Sequence, residues 1–319
     1  MPSFPKPRFT HEVNLSQEIK AIRKYRDSKP GIKIPASKPN NLLLATWNIA
    51  NLGAQEREPA HLKILAEILS WFDLVALQEI KGNSQHFQEI VKLMGPRFHF
   101  IFTDASGNNE RMGFIYRKSK VQIREEVAEL AIPPVDYKNI KLPGVPDKFN
   151  GFDRSPYLVS FRVKKFEFSL LNVHLYFGNE RETASINRRC LEAFCVGRWV
   201  ELRSKSKYSF SCNVFALGDF NLPMIDEKNP VYKALVSKGL QLPDHSSKIY
   251  SNLNNDKAYD QIAFLPGMKS NILNHGIYPF DNAVFADIYN SKTAVEFRSY
   301  IKYYLSDHRP MWIELDIKE

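Results

Sequence analysis

Asn48, Glu79, His174, Asp219, Asn221, Asp260, Asp307 and His308 carry side chains suited to metal, phosphate or proton chemistry. Each falls at or near the end of a segment that reads as a strand. The last two lie in Tyr304-Leu305-Ser306-Asp307-His308-Arg309-Pro310, ahead of the alternating apolar run Met311, Ile313, Leu315 and Ile317. An acid beside a histidine sets a carboxylate next to an imidazole that titrates near neutrality. Hard oxygen ligands suit Mg2+ or Mn2+, and Mg2+ takes only one or two protein carboxylates, leaving its other positions to water and substrate phosphate. Such a site suits phosphoester hydrolysis, in which positioning and charge neutralisation do most of the chemistry. Two histidines, each paired with an acid, have the chemistry to protonate a leaving oxygen or to hold the phosphate. Taken singly, Asn48 and Asn221 also suit turns, Asp260 a cap and Glu110-Arg111 a surface pair. Those readings predict no shared location.

The elements that must position these residues alternate along the chain. Leu42 to Thr46 is a continuous apolar run, suited to a strand buried on both faces, with Asn48 just past it. Pro59 to Trp71 has helical spacing, and Leu74 to Leu77 is a second buried strand that delivers Gln78 and Glu79. Phe98 to Phe102 and Gly113 to Tyr116 form a strand pair, with Glu110 and Arg111 at the entry to the second. Ala131 to Asp153 is rich in proline and glycine; in a compact domain such a loop serves as a binding surface or a lid. Tyr157 to Val163 and Phe166 to Val173 follow as strands, the latter ending in His174. Ala184 to Arg203 is a helix with Ile186, Cys190, Ala193, Phe194 and Leu202 as its buried stripe. Asn213 to Leu217 is a strand ahead of Gly218-Asp219-Phe220-Asn221, Pro230 to Lys238 is helical, and Ala258 to Leu265 is a strand carrying Asp260. No internal repeat of fixed period is evident.

At 319 residues, with 44% hydrophobic and 13% aromatic content, the chain has the composition of a globular protein able to bury a large core. No apolar run approaches the roughly 20 residues of a spanning helix, and the start, with three prolines in ten residues, does not read as a secretory signal. Cys190, Cys195 and Cys212 cannot all pair and show no zinc-type spacing with histidine, which fits a reducing cytoplasm. The net charge is +9, but residues 1–40 hold nine basic residues against three acids, leaving +3 for the rest. The basicity is therefore largely N-terminal. Within it Leu15, Ile19, Ile22 and Tyr25 predict a short amphipathic helix over Asn14 to Asp27, docked on the domain or serving as a nucleic-acid or membrane arm. Ser28 to Asn40 reads as a linker, so the chain divides into a basic arm, 1–40, and a catalytic domain, 41–319.

Eight stretches, in order from about Leu42 onward, resemble the endonuclease/exonuclease/phosphatase superfamily, and within it the deoxyribonuclease I branch. They are Thr46-Trp47-Asn48-Ile49, Leu77-Gln78-Glu79, Asn109-Glu110-Arg111, Phe152-Asp153-Arg154-Ser155-Pro156, Asn172-Val173-His174-Leu175, Gly218-Asp219-Phe220-Asn221, Ala258-Tyr259-Asp260-Gln261-Ile262 and Ser306-Asp307-His308-Arg309-Pro310. The resemblance implies an α/β (α+β) fold, a four-layer αββα sandwich of two mainly antiparallel sheets flanked by helices, with a site at one edge. It implies that Glu79 is the principal metal ligand, with Asn48 and Asp307 helping to hold metal and water. Asp219 would align or activate the attacking water, and Asn221 would fix the phosphate or that water. His308 oriented by Asp260, and His174 oriented by Glu110, would be the two acid/base pairs. Arg154 would offer a charged fork to a phosphate oxygen.

Members of that superfamily act on DNA, RNA tails, abasic DNA, sphingolipids and inositol phosphates, so the resemblance does not choose a substrate. The His174 motif argues against abasic-site cleavage, and Glu110-Arg111 with Ala258-Tyr259-Asp260 favours the deoxyribonuclease branch. Asn108 and Lys81 depart from it, standing where that branch has a minor-groove tyrosine and an arginine; both changes weaken a grip on the minor groove. The stabilising disulfides of the secreted enzyme have no counterpart. The expectation is a Mg2+- or Mn2+-dependent phosphodiesterase, an endonuclease acting on DNA. The alternative is a phosphatase or phospholipid phosphodiesterase of the same fold. His11, His61, His86, His99, His245 and His275 match no motif and read as ordinary surface or core histidines.

Overall fold

Each apolar strand of this chain sends alternate side chains to opposite faces, and both faces find cover. The computed structural model describes residues 3–28, 32–243 and 249–317. The strands are β1 (Asn41–Leu52), β2 (Leu74–Lys81), β3 (Phe98–Phe102), β4 (Glu110–Arg117), β5 (Gln122–Glu129), β6 (Tyr157–Val163), β7 (Phe166–His174), β8 (Val214–Asp219), β9 (Asp260–Phe264), β10 (Ile272–Ile277) and β11 (Met311–Asp316). The helices are α1 (Leu15–Arg26), α2 (Pro59–Leu69), α3 (Gln85–Met94), α4 (Thr183–Lys205), α5 (Pro230–Val236), α6 (Ala286–Ser291) and α7 (Ala294–Tyr304). One sheet has the order β10-β11-β1-β2-β4-β3 and the other β5-β6-β7-β8-β9.

Leu42 and Leu44 of β1 face the second sheet, in one cluster with Phe114, Phe161, Phe168, Phe215 and Leu217. Leu43, Ala45 and Trp47 point the other way and pack with residues of α2, α3 and α7. On the far side of the second sheet Leu171, Val173 and Ala216 pack with α4 and α5. Three apolar layers thus separate four layers of structure, the expected sandwich. Leu202 is the exception to the expected α4 stripe: near the end of that helix it is 49% exposed.

Each sheet holds one parallel pair, β1 with β2 and β7 with β8, and the other pairings are antiparallel. This arrangement brings the candidate residues to one edge. The parallel strands reach it with Asn48 in β1 and Glu79 in β2, both short of the strand ends, and with His174 and Asp219 as the last residues of β7 and β8. Their antiparallel neighbours begin there: Glu110 pairs with Lys81, Asp260 with Asp219, and Met311, just after His308, with Thr46. Gly218 is required at this point. It has φ +135, and a Cβ on it would lie 2.1 Å from the Val173 carbonyl oxygen, so only glycine lets β8 approach β7 and set Asp219 beside His174.

The N-terminal arm is docked. Asn14 caps α1, Ile22 is fully buried, and Ile32 and Ile34 in the expected linker are buried as well. The Tyr278 hydroxyl donates to the Ile22 carbonyl at 2.7 Å, and the Phe285 N–H donates to Glu18 at 2.7 Å. Ala131 to Asp153 is irregular apart from one 3-10 turn, Pro134–Asn139, yet Ile140 and Phe149 are buried against the α4 layer. No helix among the described residues is long and apolar enough to cross a membrane. His245 and the linker residues 29–31 lie outside the described residues.

Candidate active site

The amide of Asn48 joins the two sheets at the site. Its Nδ2 donates to Glu79 Oε1 at 3.1 Å and to Asp219 Oδ2 at 3.0 Å, and its Oδ1 accepts the Ala50 N–H at 3.0 Å. Both strands that frame Glu79 are bulged: pairing slips between Asn48 and Leu52 on β1 and between Leu77 and Ile80 on β2. Ala50, Asn51 and Glu79 have φ of 30, 54 and 62. The bulges turn the Asn51 N–H onto Glu79 Oε2 at 2.9 Å. Burial alone would raise the Glu79 pKa, but His174, the Asn48 amide, His308 and the Asn51 N–H outweigh it and hold this carboxyl at about 2.

Two buried histidines converge on Asp219. His308 Nδ1 lies 2.7 Å from Asp260 Oδ2, and its Nε2 is 3.8 Å from Asp219 Oδ2. His174 Nδ1 lies 2.9 Å from Glu110 Oε1, and its Nε2 is 3.6 Å from the same Asp219 oxygen. Their electrostatics differ. Burial would lower His308, but Asp260, Asp307 and Asp219 raise it well above the ordinary imidazole value, while burial lifts Asp260 to about 6. Burial and the neighbouring Arg154 lower His174 to about 4, leaving it neutral at pH 7.

Both nitrogens of His174, both oxygens of Glu110 and Asp260 Oδ1 are buried without an aligned hydrogen bond. Glu110 and His174 Nδ1 face each other, with Arg154 beside them, so His174 Nε2 and Asp260 Oδ1 are the atoms of this set open to a further partner. Ligand atoms of Glu79, Glu110 and His174 lie within 4.8 Å of one another, as do those of Asp219, Asp260 and His308. Carboxylate oxygens and imidazole nitrogens in these two groups fit a divalent cation.

Asp307 is half-buried, with Oδ1 3.9 Å from His308 Nε2, outside both groups. Asn221, at φ 49, donates Nδ2 to the Leu175 carbonyl at 2.7 Å, and its N–H donates to Asp219 Oδ1 at 2.8 Å. The Arg154 guanidinium is buried against Glu110 and donates to the carbonyls of His174 and Leu175, both at 3.2 Å. The fork expected to face a phosphate therefore faces the protein.

Several supporting residues have roles that the sequence does not assign. Gln78 Nε2 donates to Asn172 Oδ1 at 2.7 Å, and Asn172 donates to the Leu77 and Gly113 carbonyls at 3.1 Å, which ties the two sheets beneath the site. Glu192, buried in α4, accepts the N–H groups of Asp153 at 3.0 Å and Tyr176 at 2.9 Å, and burial raises its carboxyl to about 7. The spacing Ser185, Arg189, Glu192, Val196 is itself a helical stripe, and a stripe carrying charge was the available signal. Ser306 Oγ donates to the Asn48 carbonyl at 2.6 Å and accepts the His308 N–H at 2.9 Å.

Comparison with protein-family models and with curated proteins yields no match. Solved structures match in fold. An endonuclease/exonuclease/phosphatase family protein from Bacteroides thetaiotaomicron is 20% identical, with TM-score 0.58 over 88% of this chain and 99% of that one. A mannosyl-6-phosphatase of the same organism is 19% identical, with TM-score 0.58 over 86% and 99%. The human Nocturnin catalytic domain is 15% identical, with TM-score 0.54 over 89% and 97%. The chain has the fold of the endonuclease/exonuclease/phosphatase proteins.

Proposed function

We propose that this protein is a phosphoester hydrolase that uses a divalent cation, Mg2+ or Mn2+, and that its substrate is a DNA phosphodiester. The observation that carries the reading is the meeting of both imidazole Nε2 atoms, at 3.6 and 3.8 Å, on one oxygen of Asp219. Glu79, anionic at neutral pH, with Asn48 and Asp307 would hold the cation, which when bound would neutralise charge on the phosphate. Asp219 aligns the attacking water and draws off its proton, and Asn221 fixes that water through the turn it closes. His308, kept cationic by Asp260, donates a proton to the leaving oxygen or contacts the phosphate. His174, neutral and backed by Glu110, contacts the phosphate from the other sheet. Arg154 acts through Glu110 and the main chain after His174.

The preference for DNA rests on the deoxyribonuclease-like stretches. Arg154 and Lys81 are both drawn to Glu110, Lys81 at 3.8 Å, which favours a second reading, a phosphatase or phospholipid phosphodiesterase. A cytoplasmic setting is part of the proposal: Cys190, Cys195 and Cys212 are free thiols, as a reducing compartment keeps them. The test is a substrate panel with Mg2+ and then Mn2+: supercoiled plasmid, RNA, inositol phosphates, mannose 6-phosphate and sphingomyelin. Nicked plasmid supports the DNA reading. Release of phosphate or phosphocholine with intact plasmid replaces it with the second.

A further inference from the structure

Arg57 is 5% exposed and lies in the loop between β1 and α2, outside every motif of the sequence. Its Nε donates to the Tyr304 carbonyl at 3.1 Å, and its Nη2 donates to the carbonyls of Leu305 at 3.0 Å, Ile49 at 3.1 Å and Ala50 at 2.6 Å. Burial lowers this guanidinium to about 10, partly opposed by Glu79, so it is cationic at neutral pH. The acceptors belong to two segments that the chain separates widely. Ile49 and Ala50 lead into the bulge whose Asn51 N–H holds Glu79, and Tyr304 and Leu305 lead into Ser306-Asp307-His308.

The bulge needs an anchor. Ala50 and Asn51 both have left-handed φ, 30 and 54, a strained conformation at a residue other than glycine that persists only where the surroundings enforce it. A fork with several donors in fixed directions can hold carbonyls of both segments at once, which an ammonium group cannot do in the same geometry. Gln55 extends the tie to the N-terminal arm. Its Nε2 donates to the Tyr303 carbonyl at 2.7 Å, and its Oε1 accepts the Phe4 N–H at 2.8 Å.

We propose that Arg57 is a positioning residue that clamps the β1 bulge to the segment carrying Asp307 and His308, and so fixes the carboxylate of Glu79 for its cation. The inference rests on the hydrolase reading for its kinetic consequence and on the hydrogen-bond geometry alone for its structural one. The test compares Arg57→Lys and Arg57→Met with Val163→Ala, a core truncation at the end of β6 that serves as a stability control. Hydrogen–deuterium exchange at the Asn51 amide, calorimetric titration of Mn2+ and steady-state kinetics are the readouts.

Both Arg57 variants should lose protection at Asn51, bind Mn2+ about 10- to 100-fold more weakly, and lose kcat by a similar factor, with KM within a few-fold. Val163→Ala should melt lower with none of these changes. Folded Arg57 variants that keep Asn51 protection, or that change no more than Val163→Ala, overturn the proposal. A wild-type protein that hydrolyses no phosphoester sinks the functional reading but leaves the exchange experiment to decide on Arg57.

Discussion

Replacing Asp260 by asparagine removes one charge at the centre of the site with little change in volume. Asp260 is fully buried, and its Oδ2 stands 2.7 Å from Nδ1 of His308, itself only 3% exposed. Removing one partner of such a buried pair withdraws about 3–5 kcal/mol of support from the remaining charge. If roughly the same support is lost where His308 donates its proton, at about 1.4 kcal/mol per tenfold, kcat falls by about 10²–10⁴. The pH profile supplies the sign. Asp260, Asp307 and Asp219 hold His308 above its ordinary pKa against the pull of burial. Activity that needs the imidazolium is retained below that raised value and lost as pH rises through it. In Asp260→Asn burial meets less opposition, so the descending limb should move to lower pH. The assay is kcat against pH for both proteins, with imidazole nitrogen NMR of His308 as the direct readout. A folded variant with unchanged kcat and an unmoved limb would refute the assignment of His308 as a charged group sustained by Asp260.

Gly218→Ala should abolish turnover and destabilise the protein by about 3 kcal/mol or more, because its Cβ would enter the Val173 carbonyl at 2.1 Å; denaturant unfolding and activity check both. His61 is fully buried, stacked on Tyr304 at 4.2 Å and 2.9 Å from the Tyr300 hydroxyl, and burial with the Arg57 charge lowers it to about 3. A depressed pKa gives stability that is present above the unfolded value near 6.5 and lost as pH falls towards 3. His61→Phe should therefore be spared on the order of 3 kcal/mol of the loss between pH 6.5 and pH 4, as urea titrations at the two pH values would report. Deleting residues 1–40 removes the buried Ile22, Ile32 and Ile34; at about 1.5–3 kcal/mol per side chain the truncation should lose about 4–9 kcal/mol, read as a lowered melting temperature, with turnover kept in whatever remains folded.

Strands buried on both faces were legible because their apolar runs are uninterrupted, and β6 falls at the expected Tyr157 and Val163. The polar residues at the site edge of β1, β2, β7 and β8 were legible for the same reason: a sharp change from apolar to polar marks where a buried run stops, although β1 and β2 continue past Asn48 and Glu79 to Leu52 and Lys81. Elements without that contrast were not. β5 carries Arg124, Glu125 and Glu126 and is largely exposed, so its alternation is weak; α7, by contrast, carries a capping box at Thr293 and Glu296 and buried Phe297, Tyr300, Ile301 and Tyr304 at helical spacing, a signal absent from the expected elements. The direction of Arg154 was not legible because spacing gives a side chain's place along the chain and not the way it faces. Nothing local distinguishes an arginine facing a substrate from one that closes over Glu110. Arg57 and Glu192 were missed because their partners are main-chain groups, whose positions depend on the whole fold.

The central claim is that the edge joining Asn48, Glu79, Asp219, His174 and His308 is a metal-dependent phosphoester site. The most direct measurement is hydrolysis of bis(4-nitrophenyl) phosphate and 4-nitrophenyl phosphate as Mg2+ or Mn2+ is titrated into metal-free protein, alongside Asp219→Asn. Turnover of either ester that saturates with metal, disappears with chelator and is lost in the folded variant is the predicted result. Turnover that is indifferent to chelator or survives in Asp219→Asn would contradict the account, as would the absence of turnover in folded protein that binds the metal.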